Sequence, residues 1–226
     1  MSTSDVPAQL SVVAARISVE RLAPYRSVVA DARDPLAAAL ALYGRSAVVS
    51  GQFWALLGYV EVIVRNALHD QLTARSAADF GEPRWYLDPD RVLSGQARSH
   101  IAAARVRVAV SGKSESPGRV VAELSFGLWR FLLAARYERS LWRTCLHRAF
   151  PGQGRRKAVH AKIAVLHELR NRIAHHEPIH NRPLGQLYND ALTVAGWICP
   201  TTRDWLRQQQ LVPSLDRRVR KRDADC

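Results

Sequence analysis

One short stretch, HELRNRIAHHEPIH, residues 167 to 180, concentrates side chains suited to proton transfer and phosphate binding. It holds four histidines, two arginines, two glutamates and an asparagine. Histidine exchanges protons near neutral pH because its ordinary pKa is about 6.5. Arginine stays charged and presents a planar fork that matches phosphate oxygens. These residue types therefore indicate acid–base chemistry on a phosphate ester or metal binding through the histidines. The remaining alternative is an ordinary polar helix that ends at a proline.

The metal alternative rests on HEPIH, His176 to His180, which matches the H-E-x-x-H pattern of zinc proteases. That pattern needs both histidines on one helical face, with the glutamate between them as general base. Pro178 opposes this arrangement, because proline lacks a backbone donor and disfavours helical geometry at Glu177. We expect the helix to end near His176, and we expect neither a metal site nor a cofactor here.

Placed on a helix at about 100° per residue, the stretch before Pro178 separates into two faces. Asn171 and His175, four residues apart, lie together away from the core. Arg170 projects within the apolar stripe, where a guanidinium needs a partner. The core-facing stripe consists of Val159, Ile163, Leu166, Leu169 and Ile173.

Glu61 is the predicted partner of Arg170. It interrupts the apolar stripe of a long upstream helix and is followed one turn later by Arg65. Glu61 bears the same angular relation to its stripe as Arg170 does to its own, so packing of the two helices would bring them together at the edge of the core. The alternative is that both side chains extend separately to solvent.

Composition bounds the class of protein. The 226 residues are 47% hydrophobic, enough for a sizeable core, and carry a net charge of +13. Such a charge favours polyanionic partners, although abundant arginine also accompanies GC-rich genomes. Three cysteines fit no disulfide framework, the N-terminus does not resemble a signal peptide, and residues 47–64 are interrupted by polar side chains. We therefore predict a cytoplasmic protein without a membrane span, in which 47–64 is a buried helix.

Hydrophobic periodicity predicts an all-α fold in one domain, with a core over about 15–210 and a flexible charged tail over 211–226. The first predicted helices are 10–22, stopped near Pro24; Pro35 to Gly44, capped by Asp34; and Ser46 to about 74. A loop follows over 80–93. The remaining predicted helices are 94–110, 118–137 with a bend at Gly127, 138–150, 157–176, and 185–210 split or kinked by Pro200.

The segment RNRIAH, Arg170 to His175, resembles the arginine–polar–three-residue–histidine motif of the HEPN superfamily of helical RNases. Further blocks resemble its Abi-like (abortive infection, AbiD/AbiF-type) branch, and the likeness covers roughly residues 15 to 200. These blocks are RLAPYR at 21–26, residues 39–68, AELSFGLWRFLL at 122–133 and LHELRNRIAHHEPIH at 166–180.

The resemblance implies an up-and-down helical bundle with additional terminal helices, often dimeric, with the motifs facing across the dimer interface. It implies metal-independent RNA cleavage in phage defence, of the toxin type, with RNA as substrate and an antitoxin protein or small RNA as a further partner. Arg170, Asn171 and His175 take the motif positions. Their location in the sequence makes three further residues candidates for support: His176 beside the motif, and Glu61 and Arg65 on the upstream helix. Some members bind RNA without cutting it, so a non-catalytic RNA-binding or regulatory module is the alternative.

Overall fold

The computed structural model describes residues 5–209 and 211–212. It is 75% helical, with no strand in that part of the chain, which confirms the all-α prediction. Short 3₁₀ and π turns join the longer helices. The α-helices are α1 (Asp5–Ile17), α2 (Val19–Arg26), α3 (Pro35–Phe80), α4 (Gly95–Val110), α5 (Pro117–Ala122), α6 (Phe126–Leu132), α7 (Arg156–Ala174), α8 (Leu184–Ile198) and α9 (Pro200–Gln208).

The long helix α3 is continuous over 46 residues, so the predicted break near Gly44 and restart at Ser46 are wrong. Asp34 caps its start as predicted, accepting a hydrogen bond from the Ala37 amide at 3.0 Å. Glycine disfavours a helix interior by only about 1 kcal/mol, which flanking packing readily outweighs. Gly81, at φ +68°, ends the helix in the left-handed conformation that glycine favours.

The N-terminal helices also differ from the prediction of one helix over 10–22. α1 ends at Ile17, and Ser18 adopts φ +94° while its side chain accepts from the Arg21 amide at 3.2 Å. That cap starts α2, which contains Pro24 rather than stopping before it. Proline acts on the preceding turn, and in this eight-residue helix its missing N–H removes a single bond, the one to the Glu20 carbonyl.

The segment 118–137 is not one helix bent at Gly127. α5 ends at Ala122, and α6 starts only after Ser125, whose hydroxyl accepts from the Leu128 amide at 3.4 Å. The cap therefore sets the break ahead of the glycine. Residues 138–150 form π and 3₁₀ turns instead of the predicted α-helix.

The core forms where one face of α3 packs against α7 and α8. Phe53, Leu57, Val60 and Val64 are fully buried on that face, while Val48, Tyr59 and Val62 on the opposite side are 41–64% exposed. α3 is the one helix of the described chain long and apolar enough to cross a bilayer, and 28% of its most apolar window is buried. The buried-helix prediction for 47–64 thus holds for one face only.

The C-terminal helices follow the prediction, because Pro200 separates α8 from α9. The predicted loop over 80–93 contains only a short 3₁₀ turn, at Trp85–Leu87, although α3 extends to Phe80. Cys145 and Cys199 are free thiols. The predicted flexible tail spans 211–226, but Leu211 packs against the core and Val212 is fully buried, so the prediction is wrong for these two residues. The rest of the predicted tail, from 213 onward, lies outside the described residues.

Candidate functional site

The helix α7 carries the motif, and it buries the apolar stripe that its sequence predicts. Arg170 and Asn171 are half-buried, and His175 is exposed. The buried positions are Val159, Ile163, Leu166, Leu169 and Ile173. This packing fixes the rotation of α7, so the polar residues between the stripe positions must face a groove or solvent.

The end of α7 is a Schellman turn formed by the motif residues themselves. The amide of His176 donates to the Ile173 carbonyl at 3.0 Å, and the amide of Glu177 donates to the Arg172 carbonyl at 2.8 Å. His176 occupies the left-handed position of this turn, at φ +55°, where glycine is usual. Its carbonyl accepts from Arg21 Nη1 at 2.6 Å, which ties the turn to α2.

The end of α7 at this turn also argues against the zinc-protease pattern. Because α7 ends at Ala174, His176 and His180 do not share a helical face as H-E-x-x-H chemistry requires. The ring of His180 lies instead 4.7 Å from that of Tyr25. Within the described chain, no group of three or more His, Cys, Asp or Glu side chains is placed to hold a metal ion.

Asn171 and His175 line one open cavity of about 480 Å³, called the polar cavity below. Five further polar side chains join them: Arg130 from α6, His167, Glu168 and Arg172 from α7, and Glu177 from the turn that follows. The full lining is Arg130, Ala164, Val165, His167, Glu168, Asn171, Arg172, His175 and Glu177. The cavity therefore combines two imidazoles, one of them the motif histidine, with an amide, two guanidinium groups and two carboxylates.

His167 is the first functional candidate that the sequence interpretation missed. Asn171 Nδ2 lies 3.3 Å from His167 Nε2, so the amide donates to an imidazole nitrogen that must be unprotonated. Burial, with Arg130 and Arg170 nearby, lowers the pKa of His167, which keeps the ring neutral. A signal was available, because His167, Asn171 and His175 recur every fourth residue, the spacing of one helical face.

Arg130 is the second missed candidate. It comes from α6, lies close enough to His167 to influence its charge, and takes part in no ion pair among the described residues. The two glutamates of the cavity, Glu168 and Glu177, pair with Arg182 and Arg172 instead. An unpaired guanidinium beside an imidazole is an anion-binding arrangement. Only the packing of α6 on α7 brings Arg130 here, and a charged residue within an apolar segment was the sole signal in the sequence.

Arg170 turns away from the polar cavity toward α3. Its Nε lies 4.0 Å from Glu61 Oε2, so the predicted pair is present at the long limit of ion-pair distances. Its guanidinium carbon lies 5.1 Å from the centroid of the Trp54 ring, a cation–π contact. Arg65 hydrogen-bonds its neighbour Asn66 at 3.2 Å and lines no part of the polar cavity.

The pairing with Arg170 only partly offsets the cost of burying the Glu61 carboxylate. Burial raises the pKa of Glu61, and this effect exceeds the opposing influence of Arg170, of the Phe126 amide and of Arg65. The carboxylate thus anchors Arg170 while remaining poorly solvated itself.

Arg172 and Glu177 brace the turn that follows α7. Arg172 Nη1 lies 3.1 Å from Glu177 Oε2, and its Nη2 donates to the Pro178 carbonyl at 3.2 Å. Glu177 is therefore held in place by Arg172, and His176 contributes its backbone to the turn.

Comparison of the chain with protein-family models, with curated proteins and with solved structures gives no significant match.

Proposed function

We propose that the chain is a metal-independent endoribonuclease whose active site is the polar cavity. The observation that carries this proposal is the row His167–Asn171–His175 facing the unpaired guanidinium of Arg130. Imidazoles near neutral pH and a fixed positive charge are the groups that cleavage of a phosphodiester needs. The net charge of +13 favours a polyanionic substrate.

In the proposed reaction, the 2′-hydroxyl of RNA attacks the adjacent phosphorus. His175 accepts the hydroxyl proton as the 2′-oxygen–phosphorus bond forms. The bond from phosphorus to the 5′-oxygen breaks, and that oxygen leaves with a proton from water. The products are a 2′,3′-cyclic phosphate and a 5′-hydroxyl end.

The remaining cavity residues have distinct roles in this scheme. Arg130 binds the non-bridging phosphate oxygens and stabilises the charge that develops on them. Neutral His167 is a positioning residue, because its Nε2 fixes the orientation of the Asn171 amide. Asn171 then presents its amide oxygen to a ribose hydroxyl, and Arg170 holds the end of α7 against α3 through Glu61.

The resemblance of RNRIAH and its flanking blocks to the Abi-like branch of the HEPN superfamily also supports the proposal. On that likeness, the chain is a cytoplasmic toxin-type effector of phage defence, restrained by an antitoxin protein or a small RNA.

We also infer a homodimer that forms through the exposed face of α3. This face consists of Ala41, Gly44, Val48, Gly51, Ala55, Gly58, Tyr59 and Val62, all of them exposed. These residues are uncharged, and the exposed Arg45 borders them in the groove lined by Ala41, Gly44 and Val48, so a second copy of this basic chain meets a mostly neutral face. Glycines at intervals of seven residues let two helix backbones approach closely.

A non-catalytic RNA-binding module is the second candidate, and the orientation of Arg170 favours it. The motif arginine lies against Glu61 and Trp54 rather than in the cavity that holds His175. Such a module would bind RNA through Arg130 in a salt-sensitive manner without cleaving the RNA.

Cleavage of a structured RNA by the purified protein in EDTA tests the proposal, beside His175→Ala, Arg130→Ala and Arg170→Ala. His100→Ala is the matched control, because His100 is an exposed histidine on α4, away from the cavity. We expect cyclic-phosphate ends from the wild type and from His100→Ala. We expect the first two variants to lose at least about 100-fold in rate, the usual scale of a lost proton-transfer group or charge-stabilising donor.

Two results would contradict the nuclease. Cleavage that disappears in EDTA and returns with a divalent metal would exclude the mechanism. Tight RNA binding without cleavage by any variant, abolished by Arg130→Ala, would favour the binding module instead.

A further inference from the structure

A second cavity, of about 400 Å³, lies between α2, α3 and the end of α7; it is called the aromatic cavity below. Its volume falls within the range of small-molecule sites in proteins. Three aromatic rings and several small or polar side chains form its walls. The lining residues are Tyr25, Tyr43, Ser46, Ala47, Ser50, Gly51, Trp54, Ile173, Ala174, His176 and Glu177.

The rings of this cavity are held in a fixed arrangement. Tyr25 is 3% exposed, meets Tyr43 edge-on at 5.3 Å between centroids, and donates to the buried Ser46 hydroxyl at 3.4 Å. Trp54 is 46% exposed and carries the guanidinium of Arg170 near its ring. Flat aromatic walls with hydroxyls between them suit a planar heterocycle, which stacks on rings and hydrogen-bonds at its edge.

The position of the cavity identifies what kind of heterocycle it would meet. The aromatic and polar cavities lie on either side of the last turn of α7, and Glu177 lines both. Arg170 reaches from that turn to Trp54 on the aromatic side, while Asn171 and His175 face the other side. A group bound beside Trp54 is thus across the last turn of α7 from the proposed reaction centre.

We propose that the aromatic cavity binds the nucleobase of a nucleotide next to the cleaved phosphate, so that one nucleotide spans the end of α7. The placement of the phosphate in this inference rests on the proposed function of the polar cavity. The binding of the base depends only on the aromatic rings and hydroxyl groups that line the aromatic cavity. Recognition of a splayed base beside the reaction centre would give the enzyme a base preference at its cleavage site.

The test measures the two halves separately. Saturation-transfer NMR records binding of adenosine, guanosine, cytidine and uridine, which carry a base but no phosphate, with benzyl alcohol as an aromatic control. The protein variants are Ser50→Leu, which fills the cavity from α3, and Trp54→Ala, which removes an exposed wall and leaves the core intact. Ala74→Leu adds the same bulk at an exposed α3 position outside the cavity. Thermal unfolding verifies that each variant folds.

We expect at least one nucleoside to bind saturably to the wild type and to Ala74→Leu. Ser50→Leu and Trp54→Ala should bind it about 5- to 150-fold more weakly, which corresponds to the 1–3 kcal/mol of one stacked base. His175→Ala should keep the nucleoside and lose cleavage. Nucleoside binding by a wild-type protein that cleaves no RNA would instead support the base site and overturn only the nuclease, so the two proposals are tested separately.

Two outcomes would overturn the base site. One is the absence of saturable nucleoside binding, or equal binding of benzyl alcohol. The other is RNA cleavage by Ser50→Leu and Trp54→Ala with an unchanged base preference, which would leave the nuclease standing and remove the proposed role of this cavity.

Discussion

The Asn171 amide nitrogen lies 3.3 Å from Nε2 of His167, one helical turn before it on α7. This contact, rather than one to His175, fixes the amide of the motif asparagine. It requires a neutral imidazole at His167, and burial together with neighbouring arginines lowers the pKa of that ring accordingly. The geometry of the candidate site therefore depends on a residue outside the RNRIAH motif.

The close packing of Gly127 against His167 predicts that a single methyl group disturbs this contact. A Cβ at Gly127 would lie 3.2 Å from His167 Nε2, the atom that accepts from Asn171. We expect Gly127→Ala to lower the rate of RNA cleavage about 10-fold, since small displacements at reacting groups are costly. The free energy of unfolding should change by less than about 1 kcal/mol, because alanine favours the helix.

Gly118→Ala is the control for that variant. Gly118 is the second residue of α5, as Gly127 is of α6, and a Cβ there meets nothing within 4 Å. Equal activity of the two variants would show that the position of His167 does not matter for cleavage.

The lowered pKa of His167 predicts a pH-dependent contribution to stability. The unfolded chain binds a proton at His167 near pH 6.5, whereas the folded chain binds it only at lower pH. Protons are then taken up preferentially by the unfolded state, so this contribution is lost as the pH falls through 6.5 toward the folded pKa. Denaturant unfolding from pH 8 to 5 should show the stability advantage of wild type over His167→Gln shrinking on acidification. A difference in free energy of unfolding between the two proteins that does not change with pH would contradict the lowered pKa of His167.

The motif helix was predictable because its information is local. The stripe from Val159 to Ile173 has helical period, and this places Asn171 and His175 on another face regardless of tertiary structure. The nearness of Glu61 and Arg170 followed from two stripes that each carry one misplaced charge. Arg130 reaches the site only through the packing of α6, and Gly44 remains helical because contacts on both sides outweigh its weak propensity.

The left-handed backbone of His176 predicts that glycine stabilises the fold. A side chain at φ +55° is strained by roughly 1–2 kcal/mol, and glycine removes that strain while adding entropy to the unfolded chain. We expect His176→Gly to raise the free energy of unfolding by about 0.5–1 kcal/mol. His176→Ala removes the same imidazole and keeps the strain, so it should not gain stability. Equal free energies of unfolding for the two variants would show that the backbone at His176 is not strained.

The same pair of variants shows whether the imidazole of His176 takes part in cleavage. Both variants lack the ring, and they differ only in backbone freedom. We expect both to retain cleavage within a few-fold of wild type, since it is the backbone of His176 that forms the turn. A large and equal loss in both would assign the ring a direct role.

The burial of Glu61 predicts that its pairing with Arg170 is asymmetric. Arg170→Ala leaves a poorly solvated carboxylate and removes the contact to Trp54, and it should destabilise the protein by about 1–2 kcal/mol at pH 7. Glu61→Gln removes the charge that burial disfavours, so its effect should be within about 0.5 kcal/mol. The double variant should be more stable than the sum of the two changes predicts.

Acid should rescue the arginine variant. The pKa of Glu61 is raised in the folded protein, so its contribution to stability is complete below pH 4.5 and is lost as the pH rises through the folded pKa. Without Arg170 that pKa rises further, and Arg170→Ala should recover stability relative to wild type as the pH is lowered toward 4.5. A deficit that is independent of pH would mean that the loss comes from packing on Trp54 alone.

The exposed face of α3 predicts a dimer that one long side chain can block. A Cβ at Gly44, Gly51 or Gly58 meets nothing within 4 Å in the single chain, so a substitution there leaves the monomer fold intact. Gly58→Arg should shift the mass measured by light scattering from dimer to monomer, because an arginine between two closely packed helices separates their backbones and places like charges together. Ala102→Arg, at an exposed position on α4, should remain dimeric. A wild-type protein that is monomeric at every concentration would exclude this interface.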